Sequence, residues 1–409
     1  MSHTQRTDTY TRWAVIASGE GGGRIASQFF SRRENPGVED RILVMNTNRT
    51  DIRNTIDRLE NTLGDSDSLG DHAMVFGSDE GAGNVFADGE RLAEESIDEI
   101  IRSIRGVVPT ADAFMHMATL GGGTGNGSIP YTIRTFKNGS DSDAYEPWME
   151  DVIHAAIGVW PYEDEPPQQQ FNAVCGLSRL LRMPDGTQNA DMVLLGANTH
   201  IAQMGNGDDD PHGHPNDIVN ERLIEAFDLM ISAGRETQGV IDVQDYVSVP
   251  SQIGAYHFTP AIATDMNANV YDLEYMFEKA AENAFVPMDV STTKTAFAIV
   301  RAPRGLASDE EFSENAVNSA FESWKRDRGI DAPGMSTVSI TDGARDKVDV
   351  LLLLGGFDLE PLLDRSWDAF ETHKTRLERG RRLGNASIAA DQMTRIEENL
   401  DEYIRFLEE

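Results

Sequence analysis

Cysteine is almost absent: Cys175 stands alone among 409 residues, so no internal disulfide can hold the chain and its stability must come from packing. Cys175 lies in an apolar helical pattern, which assigns it to packing and not to chemistry. Positive charge is also scarce. The 35 Lys and Arg residues face 69 Asp and Glu, a net charge of -34, and that balance disfavours a nucleic-acid surface, because neutralising phosphates needs clustered cations. The one dense basic run, His373 to Leu383 (HKTRLERGRRL), reads as a charged helix face. Long apolar runs are missing too. None reaches the ~18 residues of a membrane span, and the opening MSHTQRTDTYTR lacks the apolar core of a secretory leader, so the chain is expected to work in the cytoplasm. The carboxylates are scattered instead of gathered in a tail. Such a chain repels itself in dilute salt, whereas at about 1 M salt the Debye length shrinks to roughly 3 Å; the pattern looks like a salt-adapted surface, with an acidic protein of an ordinary cytoplasm as the alternative reading.

The length leaves room for about two domains. The most informative stretch is GGGTGNG, comprising Gly121, Gly122, Gly123, Thr124, Gly125, Asn126 and Gly127. Upstream, AFMHMATL is apolar enough for a buried strand; downstream, SIPYTIRTF has helical spacing, so the glycines form a strand-to-helix turn. Removing Cβ atoms there lets backbone N–H groups and the Thr124 hydroxyl approach anionic oxygens at the positive end of a helix. No lysine follows, which excludes a Walker A loop. A flexible surface loop is the bland reading, but such loops rarely follow a buried strand directly.

Two further glycine-rich loops repeat the arrangement. WAVIA (Trp13 to Ala17) reads as a buried strand, and SGEGGGRIASQFF after it as a glycine-rich turn that opens a helix; Gly21, Gly22, Gly23 and Arg24 lie in it. A second strand ends at Asn46, Thr47 and Asn48, side chains able to meet a ligand at the carboxyl edge of a parallel sheet. The loop GSDEGAGN, carrying Gly81, Gly83 and Asn84, precedes GERLAEESIDEIIRSI, one strong amphipathic helix. A Rossmann dehydrogenase would explain only the Gly19 loop, where Arg24 stands in place of the third glycine, and leaves GGGTGNG unexplained.

Taken in order, GEGGGR, NTN, GAGNxxxxGxxLAEES and GGGTGNG resemble the nucleotide loops of the tubulin/FtsZ superfamily, of which GGGTGNG is the signature. The likeness covers most of residues 13 to 360. It implies an α/β fold in which a Rossmann-like parallel-sheet GTPase domain is joined by a long central helix to a smaller α+β domain. It implies GTP/GDP as ligand, with Mg2+, the phosphates resting on Gly21, Gly22, Gly23, Gly81, Gly83 and the GGGTGNG stretch. EDEPPQQQFNAVCGLSRL resembles the ribose-contacting loop and its helix, with Glu165 at the ribose and Gln169 where FtsZ has an arginine. ADMVLLGANTHI resembles the next strand and its terminal Asn198. DIVNERLIEAFDLMISAG resembles the central helix, placing Asn220 at the guanine edge. GVIDVQDYVSV resembles the synergy loop, whose paired aspartates fall on Asp242 and Asp245 and would act on the nucleotide of the adjacent subunit. The implied protein is a GTPase that assembles head to tail into filaments for cell shape or division, with itself and other FtsZ/CetZ-family chains as partners.

The chain departs from FtsZ at Arg24, at Asn48 in place of an aspartate, at Gln169, and at Asn216 in place of the aromatic residue that stacks on guanine. These departures favour a second reading, a nucleotide-binding scaffold that does not polymerise and regulates related filaments; Asp242 and Asp245 oppose it. The insertion Gly205 to Pro215, with His212, His214, Asp208, Asp209 and Asp210, reads as a solvated connector, since no second cluster has zinc spacing, and no metal ligands are assigned. From about residue 250 the pattern is α+β. Near the end Met393, Ile396, Leu400, Tyr403 and Leu407 form an apolar stripe, short for a coiled coil and expected to dock on the body. That helical end, with the basic residue at position 24, places the resemblance on the CetZ side. The expected layout is a flexible N-terminus at 1–12, a GTP-binding domain at 13–215, the connecting helix at 216–235, an α+β domain at 236–360 and a helical extension at 361–409.

Overall fold

The computed structural model of the protein describes residues 11–30, 37–63, 69–77, 79–204, 215–232, 241, 243–307, 310–341, 346–382, 388 and 390–408. In chain order these form β1 (Trp13–Ser18), α1 (Gly19–Phe30), β2 (Ile42–Asn46), α2 (Arg49–Leu63), β3 (Ala73–Val75), α3 (Phe86–Glu95), α4 (Ile97–Val107), β4 (Ala113–Thr119) and α5 (Thr124–Asn138). Next come α6 (Trp148–Asp151), β5 (Ile153–Trp160), α7 (Pro167–Leu181), β6 (Met192–Ala197), α8 (Asn198–Gln203), α9 (Pro215–Ser232) and α10 (Asp245–Gln252). The remainder comprises β7 (His257–Asn267), α11 (Leu273–Glu282), β8 (Thr295–Pro303), α12 (Arg304–Ala307), α13 (Glu314–Asp327), β9 (Gly334–Thr341), β10 (Lys347–Gly355), α14 (Glu360–Arg382) and α15 (Ala390–Glu408).

The strands make one sheet in the order β3-β2-β1-β4-β5-β6-β7-β10-β8-β9. From β3 to β7 every neighbouring pair is parallel; β10 runs antiparallel to β7 and β8, and β9 pairs parallel with β8. Parallel strands are buried on both faces, and their alternation divides the core. In β1, Ala14 and Ile16 face one layer, with α3, α4, α5 and α7, while Trp13, Val15 and Ala17 face the other, with α1 and α9. In β10, Leu351 and Leu353 join the α9 layer, whereas Leu352 and Leu354 pack with Phe277 and Phe321 of α11 and α13. The stripe on α15 docks as expected: Met393, Ile396, Leu400 and Tyr403 are buried in the layer that contains α7, and Ser178 donates to the Ile396 carbonyl at 2.7 Å.

Four local expectations change. GEGGGR is not a separate turn before a helix; α1 starts at Gly19, where φ is 76°, and Gly21, Gly22 and Gly23 lie in its first turns. The single helix expected after Asn84 is two, because Ser96 leaves helical geometry (φ -113°, ψ 11°) and its hydroxyl accepts from Gly77 N at 3.1 Å. Asn198 does not end a strand; β6 stops at Ala197 and Asn198 opens α8. The stretch read as a synergy loop turns helical at Asp245. The N-terminus up to residue 10, the histidine-bearing insertion at 205–214 and Asp242 lie outside the described residues.

Among the described residues three histidines are wholly buried. His116 and His154 meet at 3.1 Å under β4 and β5, while His257 bridges the Tyr403 hydroxyl (2.6 Å) and the Phe357 carbonyl (2.9 Å). Burial pushes His154 and His257 down from 6.5 to about 4. The folded state therefore keeps them neutral while the unfolded chain takes up protons below 6.5, so the stability they allow is complete above that value and is lost as pH falls towards 4. Acidifying from pH 6.5 to 5 in molar salt should destabilise the fold by on the order of 1–2 kcal/mol per histidine. Thermal unfolding across this range checks it: a His257→Gln variant should show a shallower pH dependence than the parent, and an identical slope would refute the assignment.

Candidate functional site

The site grows from contacts that only glycine permits. A Cβ on Gly22 would stand 2.6 Å from the Met117 carbonyl, and one on Gly125 would stand 2.3 Å from the Ser18 carbonyl. Helices α1 and α5 thus press their first turns on the carboxyl ends of β4 and β1. On the far side of α5, a Cβ on Gly127 would meet the Phe86 carbonyl at 2.1 Å, and one on Gly89 would meet the Gly123 carbonyl at 2.3 Å, bringing α3 equally close. Glycine in a helix costs about 1 kcal/mol relative to alanine. Here that cost is offset by close packing, and both helices point the unpaired N–H groups of their first turns at one edge.

A cleft of about 160 Å³ opens at that edge. Glu20, Gly21, Arg24, Thr119, Gly121 and Gly122 line one part; Pro161, Glu165, Gln169, Asn198, Asn216 and Asn220 line the other. The arrangement joins an anion-binding backbone end to an end rich in amide side chains. Burial raises the Glu165 carboxyl above its ordinary value, against the lowering effect of the Tyr162 N–H that donates to it at 3.1 Å. Asp51 is also raised, by burial and then by the nearby charge of Glu20. Arg24 pairs with Glu20, and its buried Nε has no hydrogen-bond partner.

Of the residues singled out in the sequence, Gly21, Arg24, Gly121, Gly122, Glu165, Gln169, Asn198 and Asn220 come together in this cleft. Others support it from behind. Gly22, Gly23, Gly123, Gly125 and Gly127 are packed inside, the Thr124 hydroxyl meets that of Thr47 at 2.6 Å, and Asn126 donates to the Asn172 carbonyl at 2.7 Å. Asn46 is buried and donates to Asp51 at 3.3 Å. Gly81, Gly83 and Asn84 form the third loop with positive φ, and Gly81 N donates to the Thr47 carbonyl at 3.0 Å. Asn48, whose side-chain Oδ1 accepts from Thr50 N at 2.8 Å, caps α2. Asp245 begins α10 and is not among the residues lining the cleft.

Sequence reading missed Asn172. Its amide, fully buried in α7, donates to the carbonyls of Gly121 (2.9 Å), Asn84 (3.0 Å) and Gly122 (3.3 Å), tying two glycine loops to one helix. The available signal was an asparagine on an otherwise apolar helix face. Also missed was the hydroxyl pair of Ser18 and Ser128, 2.6 Å apart between β1 and α5.

Residues 12–206, which carry this site apart from Asn216 and Asn220, match the tubulin/FtsZ family, GTPase domain. That segment is thus similar in sequence to the GTPase domain of the tubulin/FtsZ family. The tubulin-like protein CetZ1 of Haloferax volcanii is 28% identical over 243 residues, 59% of this chain and 55% of the relative. The cell division protein FtsZ of Methanothermobacter thermautotrophicus is 25% identical over 258 residues, 61% of this chain and 58% of the relative. In sequence the chain thus spans little more than half the length of these curated relatives. The fold likeness reaches further. The GDP-bound monomer of CetZ1 superposes with a TM-score of 0.69 at 20% identity, over 89% of this chain and 99% of the other. The GTPγS-bound protofilament of CetZ2 from the same organism gives 0.67 at 20% identity with the same coverage. The tubulin/FtsZ fold therefore extends across the C-terminal strands.

The geometry of the cleft makes Asn172 a test of its construction. Asn172→Leu removes the donor shared by three carbonyls and should destabilise by about 1–3 kcal/mol, while Asn172→Asp, which sets a carboxylate against those oxygens, should cost more. Thermal unfolding in high salt measures both. Equal stability of the parent and Asn172→Asp would show that the tether is not formed.

Proposed function

We propose that the chain binds GTP, hydrolyses it to GDP and phosphate, and assembles head to tail into filaments, acting in the cytoplasm in cell shape control or cell division. The observation that carries this is the cleft at which the first turns of α1 and α5 converge. Phosphates placed against Gly21, Gly121 and Gly122 meet two positive helix ends at once. Glu165 would then accept from the ribose, and Asn198 and Asn220 would hydrogen-bond the base, with Arg24 and Gln169 on the walls. The same reading divides the chain at 13–215, 216–235, 236–360 and 361–409.

Among the described residues no three His, Cys, Asp or Glu side chains gather as a metal cage. Mg2+ binds through phosphate oxygens and water with one or two carboxylates. Glu20 lines the cleft, and the neighbouring Asp51 is raised by burial and then by the charge of Glu20, a repulsion a cation would relieve. Bound there, the ion would neutralise charge on the phosphates.

Hydrolysis also needs an oriented water. The carboxylates in the cleft are Glu20, held by Arg24, and Glu165, held by Tyr162. A water-orienting carboxylate would come from the next subunit, through Asp245 at the start of α10 and Asp242 before it. A head-to-tail contact has different surfaces on its two sides and propagates without closing. The protofilament form of the CetZ2 relative supports this arrangement. Partners would be further copies of the chain and other FtsZ/CetZ-family proteins.

With GTP, Mg2+ and high salt the protein should sediment as filaments, and diluting the salt should dissolve them through like-charge repulsion. Monomers alone under every condition, seen by sedimentation and electron microscopy, would transfer the conclusion to the non-polymerising scaffold. Calorimetry should show GTP bound at least about a hundredfold more tightly than ATP, since a base-reading site leaves buried groups unpaired with the wrong base. Asp245→Ala should keep GTP affinity while turnover falls by about a hundredfold or more; undiminished turnover would remove the shared-site mechanism.

A further inference from the structure

A buried chain of hydrogen bonds runs from α14 to the wall of the cleft. Trp160, at the end of β5, donates through Nε1 to Ser366 Oγ at 2.9 Å. Ser366 donates to Gln170 Oε1 at 2.7 Å, and Gln170 Nε2 donates to the Tyr162 carbonyl at 2.7 Å. Tyr162 joins the chain to two residues that line the cleft: its N–H donates to Glu165 Oε2 at 3.1 Å, and its hydroxyl donates to Asn216 Oδ1 at 2.8 Å. Ser366, Trp160 and Gln170 are 2%, 4% and 7% exposed, and each has its hydrogen-bond partner within the protein. The links join residues some two hundred positions apart (206 from Trp160 to Ser366, 196 from Ser366 to Gln170), and Ser366 lies outside the segment that matches the family.

We propose that Ser366 and Gln170 are positioning residues for the sugar-binding wall of the cleft: α14, through them, sets the backbone at Tyr162 and thereby the Glu165 carboxylate. An apolar contact would have filled the same volume between α7 and α14, and a buried polar chain is tolerated only where each member is satisfied. What the chain adds is direction. Gln170 can present its amide N–H to Tyr162 only while its oxygen is held by the Ser366 hydroxyl, and that hydroxyl is turned towards Gln170 because the indole N–H occupies its acceptor side. The loop after β5 is thus aimed from two directions, and a shift of α14 would move the groups that face the ribose. This role rests on the guanine-nucleotide reading above, with Glu165 at the ribose.

The test compares the affinities of GTP and of its 2′-deoxy and 3′-deoxy analogues, by calorimetry at high salt, for the parent, Ser366→Ala, Gln170→Met and the hydroxyl-preserving Ser366→Thr. Thermal unfolding of each variant accompanies the titrations. The parent should prefer GTP over at least one deoxy analogue by about tenfold. Ser366→Ala and Gln170→Met should lose most of that preference, with the affinities of GTP and analogue converging, and Ser366→Thr should retain it. A purely structural role would weaken GTP and its analogues in parallel and leave their ratio unchanged; that result, or a parent that binds GTP without preference for the full ribose, overturns the proposal while leaving the functional reading in place. A parent that binds no guanine nucleotide overturns the functional reading itself, and the proposal with it.

Discussion

Close approach of backbone to backbone at one edge of the sheet is the constraint on which the site depends. Wherever α1, α3 and α5 meet each other and the ends of β1 and β4, the contact distances leave no room for a Cβ: 2.3 Å at Gly125, 2.6 Å at Gly22 and 2.1 Å at Gly127 if one were added. Two helix N-termini are forced to one place, and their fields add. The glycines therefore act mainly as packing residues. Only Gly21, Gly121 and Gly122 of the two glycine runs line the cleft, and the flexibility that a glycine stretch suggests is absent from an arrangement so tightly enclosed.

The C-terminal half is tied to this edge by elements that cross the sheet. α9 carries Asn216 and Asn220 in the cleft and packs on both sets of strands through Leu223 and Phe227. Further along, Asp228 meets Arg301 of β8 at 2.9 Å, and Arg301 also meets Asp349 of β10 at 2.9 Å, so one guanidinium joins a helix to two strands. The two carboxylates hold Arg301 charged against the opposing effect of its burial. On the opposite face α14 and α15 cover α7, with Lys374 and Glu397 paired at 2.7 Å between them.

Scarce cations are drawn inward. Lys137 binds Asp191 at 2.6 Å, Arg134 and Arg179 converge on Glu90, and Lys325, nearly buried, donates to the Ala332 carbonyl at 3.0 Å. Exposed ion pairs contribute little to stability, whereas partly buried ones orient the elements they join. Other cations stay at the surface in exposed pairs such as Arg49–Asp79 and Arg91–Glu95, but 35 Lys and Arg against 69 Asp and Glu leave the chain strongly acidic, and salt screens its self-repulsion.

Composition and pattern determined a good deal without coordinates: the α/β class, the strands around GGGTGNG, the apolar stripe that docks α15, and the grouping of Gly21, Gly121, Glu165 and Asn220 through family likeness. Period-two and period-3.6 signals are local, so they survive in a bare sequence. The tertiary structure alone decided the rest. That GEGGGR is helical depends on the strand beneath it, because a run of glycines has no helical preference of its own and Gly22 is pressed on Met117. The break at Ser96 depends on Gly77, and the importance of Asn172 on three carbonyls delivered by two distant loops. Ser366 was invisible for the same reason: its meaning lies in a hydrogen bond to Gln170, which a helix packing from the far end of the chain brings within reach.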